Sequence, residues 1–126
     1  MSHISIIKIK LKNVNLELLK QVVEQLCKEH WGQMVNHIED FAGQKTKVDL
    51  AFKCSAFPRG IAFEVERGEV SIKGDFYGYH EFQRQIENQL TQTYTVQAFN
   101  VSLRQQGFQT QTQKVGEKVL IRAYQW

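Results

Sequence analysis

Apolar and polar residues alternate along residues 4–12, with Ile7, Ile9 and Leu11 on one side and Lys8, Lys10 and Lys12 on the other. That two-residue period is the signature of a half-buried β-strand. It breaks at Asn13-Val14-Asn15. From there Leu19, Val22, Val23, Leu26 and Cys27 recur at helical spacing and predict a helix over 16–29. Asn15 supplies an N-cap oxygen, and Val14 and Leu19 occupy the positions of a hydrophobic staple. Residues 30–46 carry two glycines and no clean period, and allow only a short strand near 34–39. Val48, Leu50, Phe52 and Cys54 then alternate with Lys47, Asp49, Ala51 and Lys53. The run SAFPRG reads as a loop around the single proline, Pro58. Ile61, Phe63 and Val65 resume the alternation against Ala62, Glu64 and Glu66. Arg67-Gly68 makes a tight hairpin turn, and Val70 and Ile72 continue the inward side with Phe76 in phase. Three antiparallel strands in a meander follow.

At residues 74–80, GDFYGYH, the period changes. Phe82, Ile86, Leu90 and Tyr94 lie four apart, a helical stripe. A shorter stripe of Val96, Phe99 and Leu103 stops at Gly107, a C′ residue. Residues 109–115 and 118–125 predict a final hairpin turning at Gly116-Glu117. Its QTQTQ run, polar on both sides, reads as an exposed edge strand, open to an added strand from a partner. The expectation is one α+β domain over residues 1–126: strand, helix, three-strand meander, one or two helices and a C-terminal hairpin. Helices should cover one face of a largely antiparallel sheet. The other face is left to water, displaying Lys8, Lys10, Lys47, Asp49, Lys53, Glu64, Glu66, Ser71, Lys73 and Tyr77.

Composition narrows the function chiefly by exclusion. With 126 residues, 42% hydrophobic and 23% charged, the chain has the make-up of a globular domain. No apolar run approaches the ~20 residues of a membrane span. The opening MSHISIIKIKLK is interrupted by Lys8 and Lys10 and offers no cleavage site, so a soluble, cytoplasmic protein is expected. Cys27 and Cys54 both fall in the apolar phase and read as small buried hydrophobes. Cys27, His30 and His37 lack a fourth ligand at zinc spacing, so no metal is expected. Neither a G-x-S-x-G elbow nor a phosphate loop occurs, so no cofactor and no enzyme activity is expected.

Two binding readings are left open. The net charge of +3 is mildly basic, and Lys8, Lys10, Lys12, Lys47 and Lys53 would serve a weak nucleic-acid contact. RGIAFEVE partly matches an RNA-recognition signature through Arg59, Gly60, Ala62 and Phe63. Ile61 and Glu66, however, replace two of its aromatics. In GDFYGYH, Asp75, Tyr77, Tyr79 and His80 could line a small cleft, His80 titrating near neutral pH. The same stretch also reads as a joint, with Phe76 in the core, glycines at a bend and His80 opening a helix. The joint and a partner-binding surface are the stronger readings.

MSHIS at the start, GQKTK before the second clear strand, GDFYG, NQLTQTY, QQGF and the terminal Trp126 occur in one order. Together they resemble the hypothetical chloroplast reading frame thirty-five family, proteins of cyanobacteria and algal plastids without an established activity. The resemblance spans nearly the whole chain. Phe76 and Tyr77 stand where that family has tryptophans, and Thr93 where it has a basic residue. The resemblance implies a small helper role in the cytosol or stroma, and an AAA-type ATPase as a partner to test.

Overall fold

The computed structural model describes residues 4–116 and 118–125; Met1 to His3, Glu117 of the expected last turn, and Trp126 lie outside the described residues. The chain runs β1 (Ser5–Ile9), α1 (Leu16–Glu29), β2 (Gln33–Glu39), β3 (Lys45–Cys54), β4 (Phe57–Glu66), β5 (Glu69–Gly74), α2 (His80–Gln105), β6 (Phe108–Val115) and β7 (Lys118–Gln125). Strands β1 to β5 form one antiparallel sheet in the order β1-β5-β4-β3-β2, and β6 and β7 form a separate hairpin. The expected α+β architecture and the β3-β4-β5 meander are present. Among the described residues no helix is long and apolar enough to cross a membrane.

Helix α1 covers the range its pattern sets. The Asn15 side chain accepts a hydrogen bond from the Leu18 amide at 3.1 Å, satisfying one orphan donor of the first turn. Val14 and Leu19 are both buried, as a staple requires. The apolar faces of α1 (Leu19, Val22, Val23, Leu26) and α2 (Phe82, Ile86, Leu90, Tyr94) close over the sheet face that carries Phe52, Ile61, Phe63, Val70 and Ile72. Tyr94 joins the two helices, its hydroxyl accepting from the Asn15 amide at 2.8 Å. Arg67 and Gly68 both have positive φ, 56° and 77°, as the primed turn of a two-residue hairpin needs.

Four expectations are corrected. SAFPRG is not a loop: only Ser55 and Ala56 turn, and Phe57 already pairs with Cys54. The register between β3 and β4 shifts just beyond, so Pro58 sits in a bulge, where the donor it lacks is not needed. Val48 does not join Leu50 on the helix side; it packs with Ile38, Ala51 and Ala62 in a second cluster. The β2–β3 register shifts there as well, and a strand that bulges changes the face its side chains reach. The far side of the sheet is therefore not simply wet. Finally, β1 ends at Ile9 and β5 at Gly74, so Lys10, Lys12 and Tyr77 are not on strands.

The end of α1 holds an anomaly. The Trp31 amide donates to the Lys28 carbonyl at 3.1 Å and the Gly32 amide to that of Cys27 at 2.8 Å, the Schellman pattern. The left-handed position of that motif favours glycine, yet Trp31 occupies it at φ 54°. Glycine stands one residue later, where a Cβ would lie 2.8 Å from the Lys53 carbonyl oxygen. Trp31 is 93% exposed, so its ring adds nothing to the core. Left-handed backbone costs a side-chain-bearing residue about 1 kcal/mol or more. Trp31→Gly is expected to raise the midpoint of thermal unfolding by a few degrees, while Trp31→Ala, which keeps the strained backbone, leaves it unchanged; calorimetry of the three proteins checks this.

Candidate functional site

GDFYGYH is a joint built around a buried carboxylate. Strand β5 ends at Gly74, and a turn closes with the Tyr79 amide donating to the Phe76 carbonyl at 2.7 Å. Gly78 holds the left-handed corner of that turn at φ 81°. His80 then opens α2. Phe76 drops into the core and stacks on Phe57 at 5.3 Å, and Phe57 stacks in turn on Phe82 of α2 at 5.0 Å. An aromatic column thus welds the strand end to the helix start.

Asp75 is only 3% exposed. Its Oδ2 accepts from the Phe41 amide at 2.7 Å and its Oδ1 from the Tyr77 amide at 3.2 Å. Arg59, in the β4 bulge, approaches Oδ1 to 3.5 Å and donates from Nη1 to the carbonyls of Asp75 (3.1 Å) and Tyr77 (2.9 Å). One carboxylate and one guanidinium therefore fasten three segments: the β2–β3 loop, the β4 bulge and the β5–α2 turn. The guanidinium is also sandwiched, 5.2 Å from the Phe41 ring centre and 5.1 Å from that of Tyr79. Phe41 meets Tyr77 edge-on at 6.0 Å. Two large rings stay largely in solvent: Phe41 is 65% and Tyr77 70% exposed.

The expected site residues divide accordingly. Asp75, Tyr77 and Tyr79 are brought together, but as a structural clip with a solvent-facing rim. His80 is exposed on the first turn of α2, where its Nδ1 lies 3.5 Å from Gln83 Oε1. It makes no contact with Asp75, whose oxygens are engaged by two amides and Arg59. Arg59 and Phe41 complete the site; the sequence offers Arg59 only as part of an RNA-recognition signature, and Phe41 not at all. Arg59 is hidden in a proline-containing run that reads as loop, and Phe41 is a lone aromatic in a stretch without period.

The lysines do not converge. Lys8 lies on the edge strand β1, opposite Ser71, and Lys10 and Lys12 follow the strand's end. Lys47 and Lys53 are on β3, near the opposite edge and on either side of its bulge. Between the two groups runs the Lys73–Glu64 ion pair at 3.2 Å. Cys27 is buried, and that burial, with Cys54 and Glu24 nearby, raises its thiol pKa and keeps it protonated. His30 bonds Gln89 at 2.7 Å and stacks on Phe52. His37 faces Glu39 at 3.9 Å. Among the described residues no cluster of three His, Cys, Asp or Glu side chains could hold a metal.

Comparison with protein-family models, with curated proteins and with solved structures finds no match. The geometry alone therefore carries the functional argument.

Asp75→Ala leaves the Phe41 and Tyr77 amides without their acceptor and Arg59 without its counter-charge. A loss of about 3 kcal/mol is expected, whereas His80→Ala stays within about 0.5 kcal/mol; urea unfolding followed by circular dichroism distinguishes them.

Proposed function

We propose that this chain is a non-catalytic protein-interaction module whose contact surface centres on Phe41 and Tyr77. One observation carries the reading: two large aromatic rings are held in solvent on a scaffold fixed by the buried Asp75 carboxylate and the half-buried Arg59. Side chains of this kind, rigid aromatics beside an arginine, dominate the binding energy of protein interfaces. Fixing them beforehand lowers the ordering cost of binding. Exposed Trp31, on its strained backbone, is a third ring that folding stability does not account for.

The partner to test first is an AAA-type ATPase, as the family resemblance implies, in the cytosol or a plastid stroma. Purified chain and ATPase are expected to co-elute. The double substitution Phe41→Ser with Tyr77→Ser should weaken that association about thirtyfold or more, the effect of losing a hot spot of 2 kcal/mol, with the unfolding temperature unchanged. Undiminished association in isothermal titration would remove the joint from consideration as the contact surface.

A further inference from the structure

The chain's net charge is not spread over the molecule. Residues 95–126 contain Arg104, Lys114, Lys118 and Arg122 against the single acid Glu117, a balance of +3 that equals the whole net charge. The twelve cations and twelve anions before them cancel. This basic segment is the second half of α2 and the β6–β7 ribbon.

The ribbon has two unlike faces. Thr112 accepts a hydrogen bond from Asn100 of α2 at 3.0 Å, and Thr112 pairs with Ile121. Those positions therefore face the helix. Alternate positions face away. There Gln109, Gln111 and Gln113 stand opposite Tyr124, Arg122 and Leu120. The Tyr124 hydroxyl donates to Gln111 Oε1 at 3.2 Å, which confirms that the two share a face. Lys118 continues the row toward the ribbon tip. All seven side chains are exposed, and no residue of the ribbon is buried among those described.

We infer that this outer face binds double-stranded nucleic acid, with Lys118 and Arg122 on backbone phosphates and the glutamine row toward base edges. Three features of the face favour it. Among its described residues it carries cations and no acid. Its amides donate and accept together, which base edges in the major groove require, and that groove is wide enough to admit a two-stranded ribbon. Among its described residues it offers one aromatic ring, Tyr124, where a single-strand platform stacks successive bases on several. The site is separate from the Phe41–Tyr77 joint and from the dispersed sheet lysines, so it stands independently of the protein-partner reading.

Fluorescence anisotropy with a labelled DNA duplex of about 20 base pairs tests it, starting near 25 mM salt. Binding is expected, weakening with a slope of log K on log salt of about −2 for two phosphate contacts. Lys118→Gln with Arg122→Gln should lower affinity at least tenfold and flatten the slope, while leaving the circular dichroism spectrum and melting temperature unchanged. Lys8→Gln with Lys53→Gln should change neither. Gln111→Ala should alter the ranking of duplex sequences without altering the slope. No binding at low salt, equal loss from the sheet-lysine pair, tighter binding of the single strand, or competition by polyglutamate as strong as by unlabelled duplex would each overturn the inference.

Discussion

The burial of one sheet face beneath two helices is the constraint from which the rest of the molecule follows. Leu19, Leu26, Ile61, Ile72, Ile86 and Leu90 are wholly buried in that one layer. A one-residue slip of β4 or β5 would turn Phe63 and Ile72 to solvent, so the layer also sets the register of the meander. Once the register is set, Gly74 ends the sheet below the start of α2, and the five residues from Asp75 to Tyr79 must bridge strand and helix within one turn. The joint is thus a consequence of the core, and Asp75 and Arg59 make it rigid.

The same constraint creates a mismatch. Helix α2 has 26 residues and is therefore about 39 Å long. Only its first half, up to Tyr94, has sheet beneath it. The second half leaves the core with Val96 and Leu103 partly covered and Phe99 largely exposed. A two-stranded ribbon is marginal alone, and here it lies along that overhang, held by contacts such as Asn100 to Thr112. Ribbon and overhang each supply the surface that the other lacks. They do so weakly, since the Asn100 carbonyl oxygen is buried without a partner. This region is expected to open at lower free energy than the main sheet.

Legibility followed periodicity. Where one face of an element was buried and the other wet, as in α1, β5 and the first half of α2, spacing alone located the element and its core side. It failed where the backbone departed from a regular period. Val48 was misread because a bulge in β3 reverses the faces around Asp49. Residues 57–60 were misread because proline and glycine signal a loop, and in a bulge they are compatible with a strand. The site was half legible. GDFYGYH stood out by composition, and its reading as a joint is what the coordinates show. The two partners that give it meaning, Phe41 and Arg59, lie 34 and 16 residues away along the chain, and no local pattern links them to Asp75. Trp31 was invisible for a different reason: sequence does not reveal a φ angle, and only the left-handed backbone makes its exposure informative.

The features without a role in folding lie in three places: the aromatic rim of the joint, the indole at the end of α1, and the basic face of the ribbon. A protein under selection for stability alone would put glycine at position 31, and the left-handed φ there makes that a gain. It would also gain little from confining all its net charge to the last quarter of the chain. Electrostatic repulsion within so small a ribbon is unfavourable unless an anion relieves it. Rim and ribbon sit at different parts of α2, the rim before its first turn and the ribbon along its last ones. On the two proposals made above, the helix between the rim and the ribbon would fix their separation, as an adaptor holding one partner at a set distance from another requires.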